Sequence, residues 1–172
     1  MNAFRRAIFL QWDILLKDPR TRPLRAEELV FDKSLKSGLE FLQRLKVLLF
    51  VVTVQEGLTD RSLSRREFEG MKRRLSHTFS VDDILVCPHS KDAHCLCRPP
   101  ESGLFVETAR VCRFELSHSV VVSNRSEDDR AASRCGCTFL PIGDINSSTF
   151  VGRKTYLCVG EALEAIRRII SR

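Results

Sequence analysis

The stretch 35–52, LKSGLEFLQRLKVLLFVV, decides the fold. Leu35, Leu39, Leu42 and Leu45 recur at helical spacing, and Val47 to Val52 is a continuous apolar run of the kind found in a strand covered on both faces. A helix feeding a doubly covered strand is an α/β signature. Upstream, Arg6 to Leu10 ends in an apolar run and reads as a first buried strand, followed by a loop rich in Pro, Arg and Asp from Lys17 to Glu28. Downstream the unit repeats. Ser64 and Glu67 form a capping box, Phe68, Met71 and Leu75 share one helical face, and Ile84 to Val86 makes a short strand. Gly103 to Val111 reads as a helix and Ser119 to Val122 as a strand. Ser126 is placed to cap a helix from Glu127 to Arg134, and Thr138 to Ile142 is a fifth strand. Gly143 to Lys154 is polar and reads as a mobile segment, with Tyr156 to Val159 as a closing strand and Glu161 to Ile170 as an amphipathic helix.

Alternating units of this size predict one domain over 1–172, an α/β fold with a single Rossmann-like, doubly wound, mainly parallel sheet. Helices should cover both faces, with no large cap, and functional residues should lie at the carboxyl ends of the strands. The chain has 172 residues, 43% of them hydrophobic and 29% charged, enough for a single core. No apolar run reaches the roughly eighteen residues of a membrane span, and a cytoplasmic protein with no membrane partner is expected. The net charge of +6 is spread over helices with acidic neighbours. The basic group Arg65, Arg66, Lys72, Arg73 and Arg74 reads as a solvated helix face, so nucleic acid is not the expected partner.

Seven cysteines are an odd number for a disulfide framework, and three of them crowd into 87–97. Cys87-Pro88-His89, then Cys95-Leu96-Cys97, supply three thiols and an imidazole in one short loop, the tetrahedral sulfur and nitrogen set that zinc prefers. The spacing is not that of a zinc finger. Reduced, uncoordinated cysteines are the other reading of the loop, and His94 is an alternative ligand to His89. Four protein ligands leave no open position, so this zinc would be structural and would not activate water. Cys112, Cys135, Cys137 and Cys158 read as small core residues.

Four stretches carry a family resemblance: Ile8 to Asp13, Val51 to Gly57, Cys87-Pro88-His89 with Cys95-Leu96-Cys97-Arg98, and Val122 to Asp128. Their order and strand-end positions resemble the haloacid-dehalogenase-type phosphatases, in the zinc-loop branch with heptose bisphosphate phosphatase and the histidinol-phosphate phosphatase domain. The resemblance spans nearly the whole chain and implies a phosphatase with an aspartate nucleophile, a second aspartate handling the leaving-group proton, and magnesium beside the phosphate.

Several of the implied residues are exchanged. The nucleophile position is Gln11, an uncharged carboxamide, whereas Asp13 remains at the acid/base position. The residues after it, Ile14 and Leu15, are expected to make the pocket floor apolar. Thr53 and Arg98 match phosphate-binding positions, but the lysine expected after Arg98 is Pro99. At the divalent-metal positions stand Asn124, a substitution for aspartate, and Asp128, so magnesium is expected to bind poorly. Asp13, Glu127 and Asp128 also fit plain capping or solvated roles. The implied function is a degenerate phosphatase homologue, a pseudophosphatase keeping a structural zinc loop and binding a protein partner or a small anionic ligand. The alternative is an active or residual phosphatase on a sugar phosphate or related phosphomonoester, of the heptose bisphosphate or histidinol-phosphate type.

Overall fold

The computed structural model describes residues 5–143, 150 and 154–170. Five parallel strands form one sheet: β1 (Ala7–Gln11), β2 (Leu48–Val54), β3 (Asp83–Cys87), β4 (Val120–Ser123) and β5 (Thr138–Pro141). They are connected through α1 (Lys36–Arg44), the short α2 (Gly57–Asp60), α3 (Arg65–Phe79), α4 (Gly103–Cys112) and α5 (Ser126–Cys135), and α6 (Val159–Ile170) closes the chain. The fold is the expected α/β Rossmann-like one.

Strand side chains alternate between two separate cores, which is why the central strands are apolar up to the polar residues near their carboxyl ends, Gln11, Thr53 and Ser123. Ile8 and Leu10 of β1, Leu49 and Val51 of β2, and Val120 and Val122 of β4 pack with residues of α1, α3 and α6. Ala7 and Phe9, Phe50 and Val52, and Val121 face the other way, toward Phe105 and Ala109 of α4 and Ala131 and Ala132 of α5. Phe9 anchors this second core, with its ring 5.5 Å from Phe50 and 4.8 Å from Phe105. Helices thus cover both faces, and burying either stripe requires the opposite one to be covered as well.

The sheet order is β3-β2-β1-β4-β5. The chain winds outward from β1 to β3, then returns across the sheet to β4, so the direction of winding reverses between β1 and β4. Loops leaving the carboxyl ends of those two strands diverge, and a crevice opens there. Among the described residues no separate folded unit covers it.

Three expectations are corrected. Tyr156 to Val159 is not a strand: Tyr156 makes a single parallel bridge to Ile142, and Val159 already belongs to α6. The Glu161 carboxylate takes the Leu157 N–H at 2.9 Å, a donor that a strand would need for its ladder. Ser126 does not cap α5 but is its first residue, after Arg125 as the cap. Cys158 is exposed rather than a core residue, whereas Cys137 is buried and Cys112 and Cys135 are half-buried. The expected mobile stretch 143–154 falls mostly outside the described residues.

Candidate ligand cavity and metal centre

The crevice holds a cavity of about 480 Å³. Gln11 and Asp13 reach it from the end of β1, Thr53 to Glu56 from the end of β2, and Asn124, Arg125 and Glu127 from the end of β4, with Arg22 and Arg98 arriving on loops. The sequence-predicted Gln11, Asp13, Thr53, Arg98 and Asn124 therefore share one cavity. Asp128 does not join them. It is buried, accepts a 2.5 Å hydrogen bond from the Ser123 hydroxyl, and leaves its neighbour Glu127 to line the cavity. Burial holds the Asp128 carboxyl above its ordinary range, against the opposing pull of Ser123 and Arg125. Glu127 is held below the usual carboxylate range, first by its own backbone N–H at the start of α5 and, against burial, by Arg125 and Arg130.

Gln11 is fixed at both ends of its amide. Its Nε2 donates to Asp13 Oδ2 at 2.8 Å, and its Oε1 accepts the Ile14 N–H at 3.3 Å, capping the 3-10 turn Trp12–Leu15. That turn explains a further correction. Ile14 and Leu15 do not form an apolar cavity floor, because the turn rotates both into the core, where they are 7% and 0% exposed. The cavity walls are almost entirely polar. Arg22, absent from the sequence reading, approaches Asp13 at 3.6 Å. Arg125 was also missed, although it lies inside the quoted stretch from Val122 to Asp128. With Arg98 they bring three guanidinium groups to one cavity, a density that suits an anion with several oxygens. Thr53 accepts from Gln55 Nε2 at 3.0 Å. The Asn124 Oδ1 atom is buried and has no hydrogen-bond partner.

Magnesium does not fit this donor set. The carbonyl oxygen of Gln11 is already engaged by a backbone N–H, Asn124 offers only a neutral oxygen, and Asp13 is paired with Gln11 and Arg22. A hard divalent cation needs anionic oxygens, and here the carboxylates of Asp13, Glu56 and Glu127 are matched by three guanidinium groups, with Asp13 and Glu56 already paired to Arg22 and Arg98.

The loop after β3 presents a different chemistry. Cys87, at the end of β3, His89, Cys95 and Cys97 place their ligand atoms within 4.8 Å of one another. The sulfurs of Cys97 and Cys87 are 3.3 Å apart, those of Cys97 and Cys95 3.4 Å, and those of Cys87 and Cys95 3.6 Å. His89 Nδ1 lies 3.1 Å from Cys97 Sγ and 3.8 Å from Cys87 Sγ. Donors held about 2.0 to 2.3 Å from a central tetrahedral ion stand roughly 3.5 to 3.8 Å from each other, so the cluster could hold a metal ion with little adjustment. His94 is not part of it. Burial pushes the Cys87 thiol up to about 12 and raises that of Cys97 as well, whereas the Cys95 thiol is held down to about 7, against burial, by its hydrogen bonds with Cys97 and the Arg98 backbone.

The loop is tied to the cavity. Arg98 donates to the His89 carbonyl at 3.0 Å and pairs with the Glu56 carboxylate, so the Cys/His loop positions a cavity guanidinium. Its other end is clamped where the Gly103 N–H meets the Leu96 carbonyl at 2.9 Å. A Cβ on Gly103 would run into the Leu96 carbonyl oxygen and lie 2.8 Å from its carbon, a backbone contact that cannot swing aside. Glycine to alanine in a helix is ordinarily favourable. Here overpacking decides the sign, and Gly103→Ala should lose about 1–3 kcal/mol in denaturant unfolding. Unchanged or increased stability would show that the loop is not clamped against α4.

No family model matches the chain. Fold and site define an α/β Rossmann-like domain with a polar, arginine-bearing cavity at the strand switch and a Cys/His cluster on an adjoining loop. The named homologues are more particular. The chain is 28% identical over 106 residues to the histidine biosynthesis bifunctional protein HisB of Legionella pneumophila (strain Lens), a match that takes in 59% of this chain and 30% of that protein. It is 24% identical over 134 residues to the D-glycero-beta-D-manno-heptose-1,7-bisphosphate 7-phosphatase of Helicobacter pylori (strain J99 / ATCC 700824), covering 74% of this chain and 77% of the relative. The chain thus spans less than a third of the length of the HisB protein. The D,D-heptose 1,7-bisphosphate phosphatase of B. bronchiseptica, solved with magnesium and phosphate, superimposes with a TM-score of 0.82 at 19% identity over 95% of this chain and 98% of that one, a likeness of fold. The homologues are thus heptose bisphosphate phosphatases and HisB proteins, and the structural neighbours are haloacid-dehalogenase-type phosphatases.

Proposed function

We propose that this chain is a non-hydrolysing relative of the haloacid-dehalogenase-type phosphatases, one that holds a small phosphorylated ligand in the cavity and zinc in the 87–97 loop. The observation that carries this reading is Gln11. At the nucleophile position a neutral amide is hydrogen-bonded at both ends, in a cavity whose positive charge comes from Arg22, Arg98 and Arg125. Such a site offers guanidinium donors to a phosphate but no carboxylate at the expected nucleophile position. Asn124 and Thr53 line the same cavity beside the guanidinium groups, so a ligand with hydroxyls next to its anionic group, such as a sugar phosphate, suits it. Three thiols and one imidazole favour zinc over harder ions, and a full set of protein ligands makes its role structural.

Calorimetric titration of inorganic phosphate into the zinc-loaded protein tests the binding half of this proposal. Saturable, salt-sensitive binding is expected. An Arg22→Ala, Arg125→Ala double variant should weaken it at least about tenfold, since a charge-assisted hydrogen bond contributes about 1.5–3 kcal/mol. Absence of binding by the wild type, or equal binding by the variant, would remove the cavity as the ligand site.

The second reading, a phosphatase acting on a sugar phosphate, draws on the relatives' names and on Asp13, which lines the cavity and is 16% exposed. In that case Asp13 would serve as nucleophile or base. Its pairing with Gln11 and Arg22 weighs against this, because both partners would have to release it.

A further inference from the structure

Away from the cavity and the metal loop, a second pair of sulfurs meets at the far end of α5. Cys135 is the last residue of that helix, and Cys137 follows after a single glycine. Gly136 takes a left-handed φ of 77°, its N–H points to the Ser133 carbonyl at 3.4 Å, and the Cys137 N–H reaches the Ala132 carbonyl at 3.0 Å. This is the hydrogen-bond pattern of a Schellman turn, which fixes the backbone where the two cysteines branch off. Their Sγ atoms lie 3.7 Å apart. Cys137 is buried in the second core, Cys135 is half-buried against it and Gly136 is exposed, so Cys135 is the more open of the two cysteines and Cys137 the sheltered one. Among the described residues no third metal-ligating group joins them, unlike the cluster at 87–97.

We propose that Cys135 and Cys137 form a dithiol site that low-molecular-weight disulfides oxidise reversibly to an intramolecular Cys135–Cys137 disulfide. The Cys135 thiolate attacks one sulfur of the small disulfide, whose S–S bond breaks and releases one thiolate, leaving a mixed disulfide on Cys135. Cys137 then gives up its proton and attacks Cys135 Sγ, expelling the second small thiolate. Two protein thiols lose two electrons and two protons, and the small disulfide is reduced to two thiols. Closing the sulfurs from 3.7 Å to a bond of about 2.05 Å is within reach of side-chain rotation on the fixed turn. The order of attack follows the environment of each sulfur. The Cys135 thiol is held down to about 7, first by its hydrogen bond with Cys137 and against burial, whereas Cys137 is pushed up by Cys135 and by burial.

Zinc-loaded, full-length protein would be incubated with glutathione disulfide at neutral pH, its remaining thiols alkylated, and its tryptic peptides mapped by mass spectrometry. No Lys or Arg separates Cys135 from Cys137, so both fall in one peptide. That peptide is expected to lose the mass of two hydrogens, to regain it with dithiothreitol, and to react at least about tenfold faster than Cys112. A Cys137→Ser variant should instead accumulate the glutathione adduct on Cys135, while Cys112→Ser should behave as wild type. The proposal is overturned if both cysteines are still alkylated in oxidised wild type, if Cys135 pairs with any other cysteine, or if Cys137→Ser leaves Cys135 unmodified. Should a variant fail to fold, the wild-type map decides alone.

Discussion

A Cys95→Ser, Cys97→Ser double variant should purify with less than about a tenth of the zinc of the wild type, which should carry one ion per chain. Cys97 is the centre of the cluster, within 3.4 Å of Cys87, His89 and Cys95, and Cys95 supplies the third sulfur. Their loss leaves two donors, too few to retain a structural ion against a chelator. The effect should be local. The sheet draws its stability from two apolar cores that contain none of the four ligands, and Cys87 sits at the end of β3. Far-UV circular dichroism of the variant should therefore match wild type. Its phosphate affinity should fall, because the loop that carries His89 also holds Arg98 through the His89 carbonyl. Elemental analysis after anaerobic purification measures the first effect. Wild-type zinc content in the double variant would remove the assigned ligands, and global unfolding would show that the metal does more than shape a loop.

The second large effect concerns repair. Gln11→Asp alone should not yield magnesium-dependent phosphatase activity. Gln11 Nε2 now donates to Asp13 at 2.8 Å, so the substitution sets two carboxylates against each other where one amide had made a bond. Without a cation between them, one stays protonated or the pair moves apart. Asn124 still presents a neutral oxygen and Pro99 still stands where a lysine is expected. Electrostatic groups of this kind contribute about 3–4 kcal/mol each, so two that are missing slow turnover by about ten-thousandfold to a millionfold. Activity should return only when Gln11→Asp, Pro99→Lys and Asn124→Asp are combined, and the gain should be strongly non-additive. Ile14 and Leu15 belong to the core and should be left unchanged, since replacing them would cost stability without opening the cavity. Turnover by Gln11→Asp alone would mean that the rest of the site is intact.

What was legible in the sequence depended on whether the signal was local. Val47 to Val52 revealed a doubly covered strand because both faces of β2 are buried, which leaves no polar position to interrupt the run. The Cys/His cluster was legible because its four candidate donors lie within eleven residues at one strand end. Arg22 was not, because the loop after β1 folds back to Asp13 and nothing in its Pro-rich, Arg-rich composition marks one arginine over its neighbours. Arg125 lay between two residues that the resemblance made conspicuous, and was passed over for Asn124 and Asp128. The orientation of Ile14 and Leu15 turned on a 3-10 turn that the Gln11 side chain itself caps, a local hydrogen bond that the residue types alone do not announce.

The most direct test is phosphate release by the zinc-loaded wild-type protein, with magnesium present, from a panel of sugar phosphates and a generic aryl phosphate at concentrations that saturate the cavity. The account predicts binding with no release above the buffer rate. Robust magnesium-dependent release by wild type, abolished by Asp13→Asn, would contradict it and make Asp13 the centre of an active phosphatase.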